Sequence, residues 1–108
     1  MKLTKAQQMI IDRAHNAIDR ARETETYEEY FIKYEAIHMN GAYNTPEKMK
    51  SKDLESWNNY KSWWEKERNG IVLTHANSRT LEALERLGLI EIIVDGGTYT
   101  DEIKVLNY

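Results

Sequence analysis

The fold is decided by residues 74–94, which read Thr74-His75-Ala76-Asn77-Ser78-Arg79-Thr80-Leu81-Glu82-Ala83-Leu84-Glu85-Arg86-Leu87-Gly88-Leu89-Ile90-Glu91-Ile92-Ile93-Val94. Leu81, Leu84 and Leu87 recur at helical spacing, so they predict an amphipathic helix over residues 76–87 with one apolar stripe facing a core. Asn77 or Ser78 can cap the start of this helix by accepting a backbone N–H. Gly88 can adopt the left-handed backbone conformation that ends it.

The residues after Gly88 change from helical to extended periodicity. The run from Ile90 to Val94 is rich in β-branched side chains, which favour strands. Asp95-Gly96-Gly97-Thr98 is typical of a tight turn, and the alternating sequence from Tyr99 to Leu106 predicts the return strand. We therefore expect a hairpin over residues 89–106, with residues 70–73 as a third, short strand beside it.

The N-terminal segment predicts a helix over residues 3–23. Thr4 and Gln7 have the spacing of a capping box. The apolar side chains that follow keep helical spacing and form a seam rich in alanine, which lets a neighbouring helix approach closely. The seam consists of Ala6, Met9, Ile10, Ala14, Ala17, Ile18 and Ala21.

Residues 26–69 form an aromatic, mainly helical insertion. Its first half carries a stripe at helical spacing, Tyr27, Tyr30, Phe31, Tyr34, Ile37 and His38. Such a stripe is more often core than binding surface, because aromatic side chains bring large apolar area. Its second half predicts a helix over residues 51–68 with one broad apolar side, Leu54, Trp57, Tyr60, Lys61 and Trp64. Trp57 and Trp64 are expected to be buried, and Trp63 is the candidate for an exposed aromatic anchor, although a wide buried face is an equal alternative.

The segment from Ser78 to Ile90 resembles the third helix and first wing strand of winged helix-turn-helix proteins, and Asp95-Gly96-Gly97 stands where their wing tip would be. Leu3-Thr4-Lys5-Ala6-Gln7 resembles the opening of their first helix. The whole chain also resembles small proteins of phages and prophages of Gram-positive bacteria, most of unassigned function. This resemblance implies a mainly α, winged-helix-like α+β domain over residues 1–108. The insertion then lies between the first helix and a recognition-type helix.

The resemblance implies binding of duplex DNA, with the recognition-type helix in the major groove. The candidate DNA contacts are His75 near the entry point of the helix, Ser78, Arg79, Glu82 and Arg86 on the helix, Thr98, Tyr99 and Thr100 on the wing, and Lys5 and Lys104 as backbone contacts. Glu82 lies one turn from both Arg79 and Arg86 and can pair with each. Glu82 and Glu85 would have to meet cytosine amino groups or weaken binding.

The charge of the chain favours a second function. The net charge is −3, and no basic block marks a phosphate-binding surface. An acidic, aromatic-rich protein could instead bind a host enzyme that handles nucleic acids, as an inhibitor of anti-CRISPR or anti-defence type. The candidate partner contacts are Trp63, Tyr27 and Tyr30. A homodimer formed through the first helix or the insertion would suit either function.

Several classes of function find no support in the sequence. There is no cysteine, the three histidines lack metal-ligand spacing, and neither a phosphate-cradling loop nor a nucleophile elbow occurs. We therefore expect no enzyme activity, no metal site and no cofactor. No apolar run reaches the roughly 18 residues of a membrane helix, so we expect no membrane partner and a location in the host cytoplasm.

Overall fold

The computed structural model of the chain describes residues 2–39, 41, 43–96 and 100–108. These residues form helices and a three-stranded antiparallel sheet, so the expected α+β class is confirmed. In chain order the helices and strands are α1 (Lys5–Glu23), α2 (Tyr27–Tyr30), α3 (Pro46–Lys52), α4 (Leu54–Arg68), β1 (Ile71–Thr74), α5 (Ser78–Arg86), β2 (Ile90–Val94) and β3 (Asp101–Val105). No helix in the described ranges is both long enough and apolar enough to cross a membrane.

The hairpin expected over residues 89–106 is present as β2 and β3, and β1 adds the third strand. The strand order is β1-β3-β2, and both pairings are antiparallel. Gly70 brings the chain from α4 into β1 at a φ of +84°, which favours glycine, and its carbonyl accepts a hydrogen bond from the N–H of Val105 at 2.8 Å. The sheet therefore begins directly at the end of α4.

The first core lies between the sheet, α5 and the first half of α1. Its buried members are Ile11, Ala14, Ile18, Val72, Leu81, Leu84, Ile90, Ile103 and Val105. The capping box at Thr4 and Gln7 is confirmed, with the Thr4 hydroxyl accepting from the Gln7 N–H and the Gln7 side chain accepting from the Thr4 N–H. The expected seam was partly wrong. Ala6 and Met9 are exposed and Ile11 is buried, because the side of α1 facing the core follows the 11, 14, 18, 21 spacing.

Helix α5 is shorter than the expected 76–87. Asn77 caps it by accepting the N–H of Arg79 at 2.8 Å, and Leu81 and Leu84 are fully buried as expected. The expectation for Leu87 was wrong. Leu87 follows the last helical residue, so its side chain leaves the stripe and is 39% exposed. Gly88 ends the helix with a φ of +76°, as predicted.

The insertion packs a second core against the end of α1. Its buried members are Ala21, Tyr27, Phe31, Met49, Trp57 and Trp64, so the expected burial of Trp57 and Trp64 is confirmed. The helix starting at Tyr27 continues as a π-helical turn over Phe31–Glu35 and a 3-10 turn over Ala36–His38. The single helix expected over residues 51–68 was wrong. Asp53 leaves helical geometry and caps the start of α4 by accepting the N–H of Ser56 at 3.1 Å.

The buried side of α4 is narrower than expected. Leu54 and Tyr60 were expected on the apolar side of this helix, and both are exposed. The buried side of α4 instead follows Trp57 and Trp64, two turns apart.

Side chains of α4 cap the end of α1 and join the two helices. The indole Nε1 of Trp64 donates to the carbonyl of Ala21 at 3.1 Å, and Arg68 Nη1 donates to the carbonyls of Ala21 and Thr24. The last carbonyls of a helix have no partner within the helix itself. The side chains of Trp64 and Arg68, both in the insertion, therefore supply hydrogen-bond donors to carbonyls at the end of α1.

Candidate nucleic-acid interface

Helix α5 presents one buried side and one exposed side. It packs on β2 and α1 through Leu81 and Leu84, and the opposite side carries the exposed side chains Ser78, Arg79, Glu82 and Arg86. We call these four residues the α5 face. The hairpin follows α5 after a short turn, so the position of the helix is fixed from two directions by the core and the sheet.

The charges of the α5 face are not neutralised within the described part of the chain. Glu82 was expected to be able to pair with Arg79 and Arg86, but no ion pair among the described residues involves any of the three. Arg79 and Arg86 lie seven residues apart, which places them on the same side of the helix, separated by roughly 10 Å along its axis. Both guanidinium groups are therefore available to an external anion.

Glu85 has a structural role that the sequence did not reveal. One of its carboxylate oxygens accepts the backbone N–H of Ile92 at 2.8 Å. The carboxylate is thus directed towards β2 and away from the surface that Arg79 and Arg86 share. Glu85 is therefore not part of the α5 face.

The remaining candidate DNA contacts are distributed around this face. His75 and Thr100 are exposed, at the end of β1 and the start of β3 respectively. Thr98 and Tyr99 lie outside the described residues. Lys5 is exposed in the first turn of α1, whereas Lys104 lies on the outer face of the sheet, opposite Ile71 and Glu91. Since the helices pack on the inner face, Lys104 is not brought together with the arginines of α5.

A buried acid contacts the backbone of Gly96, which follows β2. Asp101 is almost fully buried at the start of β3, and its carboxylate accepts the N–H of Gly96 at 2.7 Å. A buried carboxylate needs such a partner to offset its lost hydration. The sequence placed Asp101 in the return strand but gave no sign of this contact.

The candidate partner contacts of the insertion are less exposed than expected. Tyr27 is 1% exposed, so its assignment to a partner-binding surface was wrong; its ring packs 4.7 Å from that of Trp57 and fills the second core. Tyr30 is half-buried between Tyr27 and Tyr34, with ring centroids 6.0 and 5.2 Å away. Trp63 is half-buried, and the Lys66 ammonium lies 4.2 Å from its ring centroid.

The sequence did not single out a group of titratable side chains beside this aromatic core. Burial, and after it the charge of Glu35, raise the pKa of Glu67 on α4 to about 7, and Arg20 on α1 opposes both effects. Burial also raises the pKa of Glu35 and raises that of Tyr30 to about 12. The buried hydroxyl of Tyr27 has no hydrogen-bond partner in the described chain, and its pKa is raised by burial and then by Glu35. The nearby carboxyls are thus partly deprived of water.

An ion pair holds the π-helical turn against α1. The Glu23 carboxylate accepts from the Lys33 ammonium and from the Tyr34 hydroxyl, and these two hydrogen bonds lower the pKa of Glu23. This contact is exposed, so water and salt weaken it.

The described residues form no cluster of side chains that could hold a metal ion. Nowhere among them do three or more histidine or carboxylate side chains converge as metal ligands.

Comparison with known proteins adds no assignment: no family model, curated protein or solved structure matches the chain.

Proposed function

We propose that the α5 face binds duplex DNA in a sequence-directed manner, with α5 in the major groove and the hairpin beside it as a wing. The observation that carries this proposal is the pair Arg79 and Arg86, which are exposed on the same side of a core-anchored helix and have no ion-pair partner in the described chain. Their separation along the helix is roughly 10 Å, so the two side chains can reach different phosphates or base edges of one duplex.

The strand arrangement supports the same proposal. A third strand lies beside the hairpin that follows α5, in the order β1-β3-β2, as the winged-helix interpretation expects. Ser78, in the first turn of α5, can donate to or accept from a base edge or a phosphate. Glu82 is the one acid of the α5 face, and it favours a cytosine amino group as its partner.

Salt acts on binding in two opposite ways, through the overall charge and through the local arginine contacts. The net charge of −3 repels the phosphate backbone at long range, and this repulsion is screened beyond the Debye length of about 10 Å at 0.1 M salt. Local contacts from Arg79 and Arg86 release counterions, so the logarithm of the association constant falls by about 0.9 per phosphate neutralised for each tenfold rise in salt.

A salt titration with fluorescently labelled random duplex tests the proposal. The double variant Arg79→Ala/Arg86→Ala is expected to bind more weakly at low salt and to flatten the log–log slope by about 1.8, since two phosphate contacts are lost. The matched control is Lys48→Ala/Lys52→Ala, which removes the same charge from exposed positions of α3 and is expected to keep the slope. Absence of binding by the unaltered chain at low salt, or equal slopes for both variants, would contradict the proposal.

A second candidate function is binding of a host protein through the insertion, as an inhibitor or recruiter of a nucleic-acid-handling enzyme. Ile32 and Ile37 favour it, because they are 60% and 73% exposed on the π-helical and 3-10 turns. If this second function is correct, Ile32→Ser/Ile37→Ser abolishes association with a purified host enzyme while the arginine variant leaves it intact.

A further inference from the structure

The sheet has two edges, and the protein treats them differently. Leu106 donates to the Leu89 carbonyl at 3.0 Å, so by the alternation of an antiparallel pair Ile90 and Ile92 direct their backbone groups away from β3. Glu85 occupies this edge by accepting the Ile92 N–H. An added strand would have to displace a charged side chain there, so the β2 edge is protected against further pairing.

The β1 edge carries no such protection. Val105 donates to the Gly70 carbonyl, and Gly70, Val72 and Thr74 therefore direct their backbone groups towards β3. The alternation leaves Ile71 and Leu73 with backbone N–H and C=O groups directed outwards. No hydrogen bond within the described chain involves these outward groups. The side chain of Leu73 is 49% exposed. The β1 edge therefore presents an apolar side chain next to backbone groups that have no hydrogen-bond partner in the described chain.

A groove runs along this edge between β1 and α1. Its volume is about 220 Å³, equivalent to roughly seven water molecules. The α1 wall consists of Ile10, Arg13, Ala14 and Ala17, and the β1 wall runs from Val72 to His75. The two alanines leave room for a backbone to approach, and they face the strand whose outward groups need partners.

The charge of the groove selects its occupant. The exposed Arg13 stands in the α1 wall, and no carboxylate is among the described lining residues. The groove therefore carries positive charge on a chain whose net charge is −3. An extended segment with acidic side chains satisfies the outward backbone groups of β1 and the guanidinium of Arg13 together.

We propose that the groove between α1 and β1 binds an extended acidic segment of another protein, which adds to the sheet as a fourth strand next to β1. The segment exchanges backbone hydrogen bonds with Ile71 and Leu73, places apolar side chains over Ala14 and Ala17, and pairs a carboxylate with Arg13. Recognition by strand addition draws its affinity from the backbone and its selectivity from side chains. This surface is separate from the α5 face, so the inference does not depend on DNA binding.

Two capped hexapeptides test the inference, and each has threonine at every second position. The other three positions are valine, aspartate and valine in one peptide, and valine, lysine and valine in the other. Because strand side chains alternate between two faces, the valines and the charged residue share the face that can lie on α1. Backbone amide NMR shifts of the full chain are followed during titration with each peptide. The aspartate peptide is expected to shift the amides of Ile71 and Leu73 and to bind roughly two- to fivefold more tightly than the lysine peptide, the difference that an exposed ion pair supplies. Arg13→Glu is expected to reverse this preference.

Leu73→Pro tests the backbone contact directly. The Leu73 N–H faces away from β3, so proline removes a donor for the peptide without removing a bond of the sheet. Leu73→Pro is expected to abolish peptide binding, and the matched Leu73→Val, which keeps the N–H, is expected to retain it. Arg13→Glu leaves β1 unaltered, so it still tests the inference if the proline variant fails to fold.

Three results overturn the inference. One is the absence of shifts at Ile71 and Leu73 with both peptides at millimolar concentration. Another is a preference for aspartate that survives Arg13→Glu. The third is a shift of the same amides with protein concentration alone, which assigns the β1 edge to a second copy of the chain.

Discussion

The carboxyl of Glu67 makes the stability of this protein depend on pH in the opposite sense to a salt-bridged acid, and Glu67→Gln isolates the effect. Glu67 is half-buried on α4 beside Glu35, and burial raises its pKa from 4.5 to about 7, while Arg20 offsets only part of the rise. The native state therefore holds a proton that the unfolded chain has already released between pH 4.5 and 7. The contribution of the protonated Glu67 carboxyl to the free energy of unfolding is fully present below pH 4.5 and is lost as the pH rises through 7.

The size of the effect follows from the same change. A rise from 4.5 to about 7 corresponds to roughly 3.4 kcal/mol at 1.36 kcal/mol per pKa unit. Because Glu67 is only partly buried, solvent screening reduces this to about 1–2 kcal/mol. Glutamine resembles the protonated acid in shape and carries no charge. We expect Glu67→Gln to be more stable than the unaltered chain by about 1–2 kcal/mol at pH 8, and equally stable at pH 4.5.

Urea unfolding at pH 4.5, 6 and 8 measures this difference, and thermal unfolding gives an independent reading of about 4–9 °C at pH 8. Glu65→Gln is the matched control, since Glu65 lies exposed on the same helix and its replacement is expected to leave the pH dependence unchanged. A stability difference between Glu67→Gln and the unaltered chain that is the same at pH 4.5 and pH 8 would refute the reasoning, because the gain would then owe nothing to the carboxyl proton.

Further substitutions test the first core and the turns around it. Leu84→Ala is expected to destabilise by roughly 2–5 kcal/mol in urea unfolding by leaving a cavity, whereas Leu87→Ala, at an exposed position, is expected to change stability by less than about 1 kcal/mol. Asn77→Ala is expected to cost about 1 kcal/mol through loss of the cap on the Arg79 N–H. Gly70→Ala is expected to destabilise more than Gly88→Ala in thermal unfolding. Both glycines have positive φ, but a Cβ at Gly70 lies 3.3 Å from the Val105 carbonyl oxygen and one at Gly88 meets open space. Equal losses for the two glycine variants would indicate that backbone strain alone sets the cost.

Local signals in the sequence were reliable where a short segment decides its own conformation. Thr4 with Gln7, Asn77 and Gly88 all occupy the capping or terminating positions that their chemistry predicts. The alternation after Gly88 correctly predicted the hairpin, because one strand face is buried and the register is therefore fixed by burial.

The insertion was harder to predict, because tertiary contacts decide its helix boundaries. The break at Asp53 separates α3 from α4, although neither glycine nor proline marks it in the sequence. A stripe of aromatic residues also cannot say which members face inwards: Tyr27 and Phe31 are buried, whereas Ile37 is largely exposed. The π-helical turn at Phe31–Glu35 rotates the residues that follow it and shifts their phase.

Polar contacts that form only in the folded chain account for the rest of what the sequence did not reveal. Glu85 contacts the edge of β2, and Asp101 contacts Gly96. The pKa of Glu67 is raised by its surroundings in the folded chain. Each depends on burial or on an edge that exists only once the sheet and helices have assembled. The groove beside β1 is of the same kind, since its walls come from distant parts of the chain.

Helix α1 passes through both cores, with Ile11, Ala14 and Ile18 in the first and Ala21 in the second. The hydrogen bonds that Trp64 and Arg68 donate to the Ala21 carbonyl hold the C-terminal end of this helix in place. We expect the two halves of the described chain to unfold as one cooperative unit, because both cores lose packing when α1 unfolds. We expect a ligand that binds the folded insertion to stabilise the helix against which α5 packs as well, because α1 belongs to both cores.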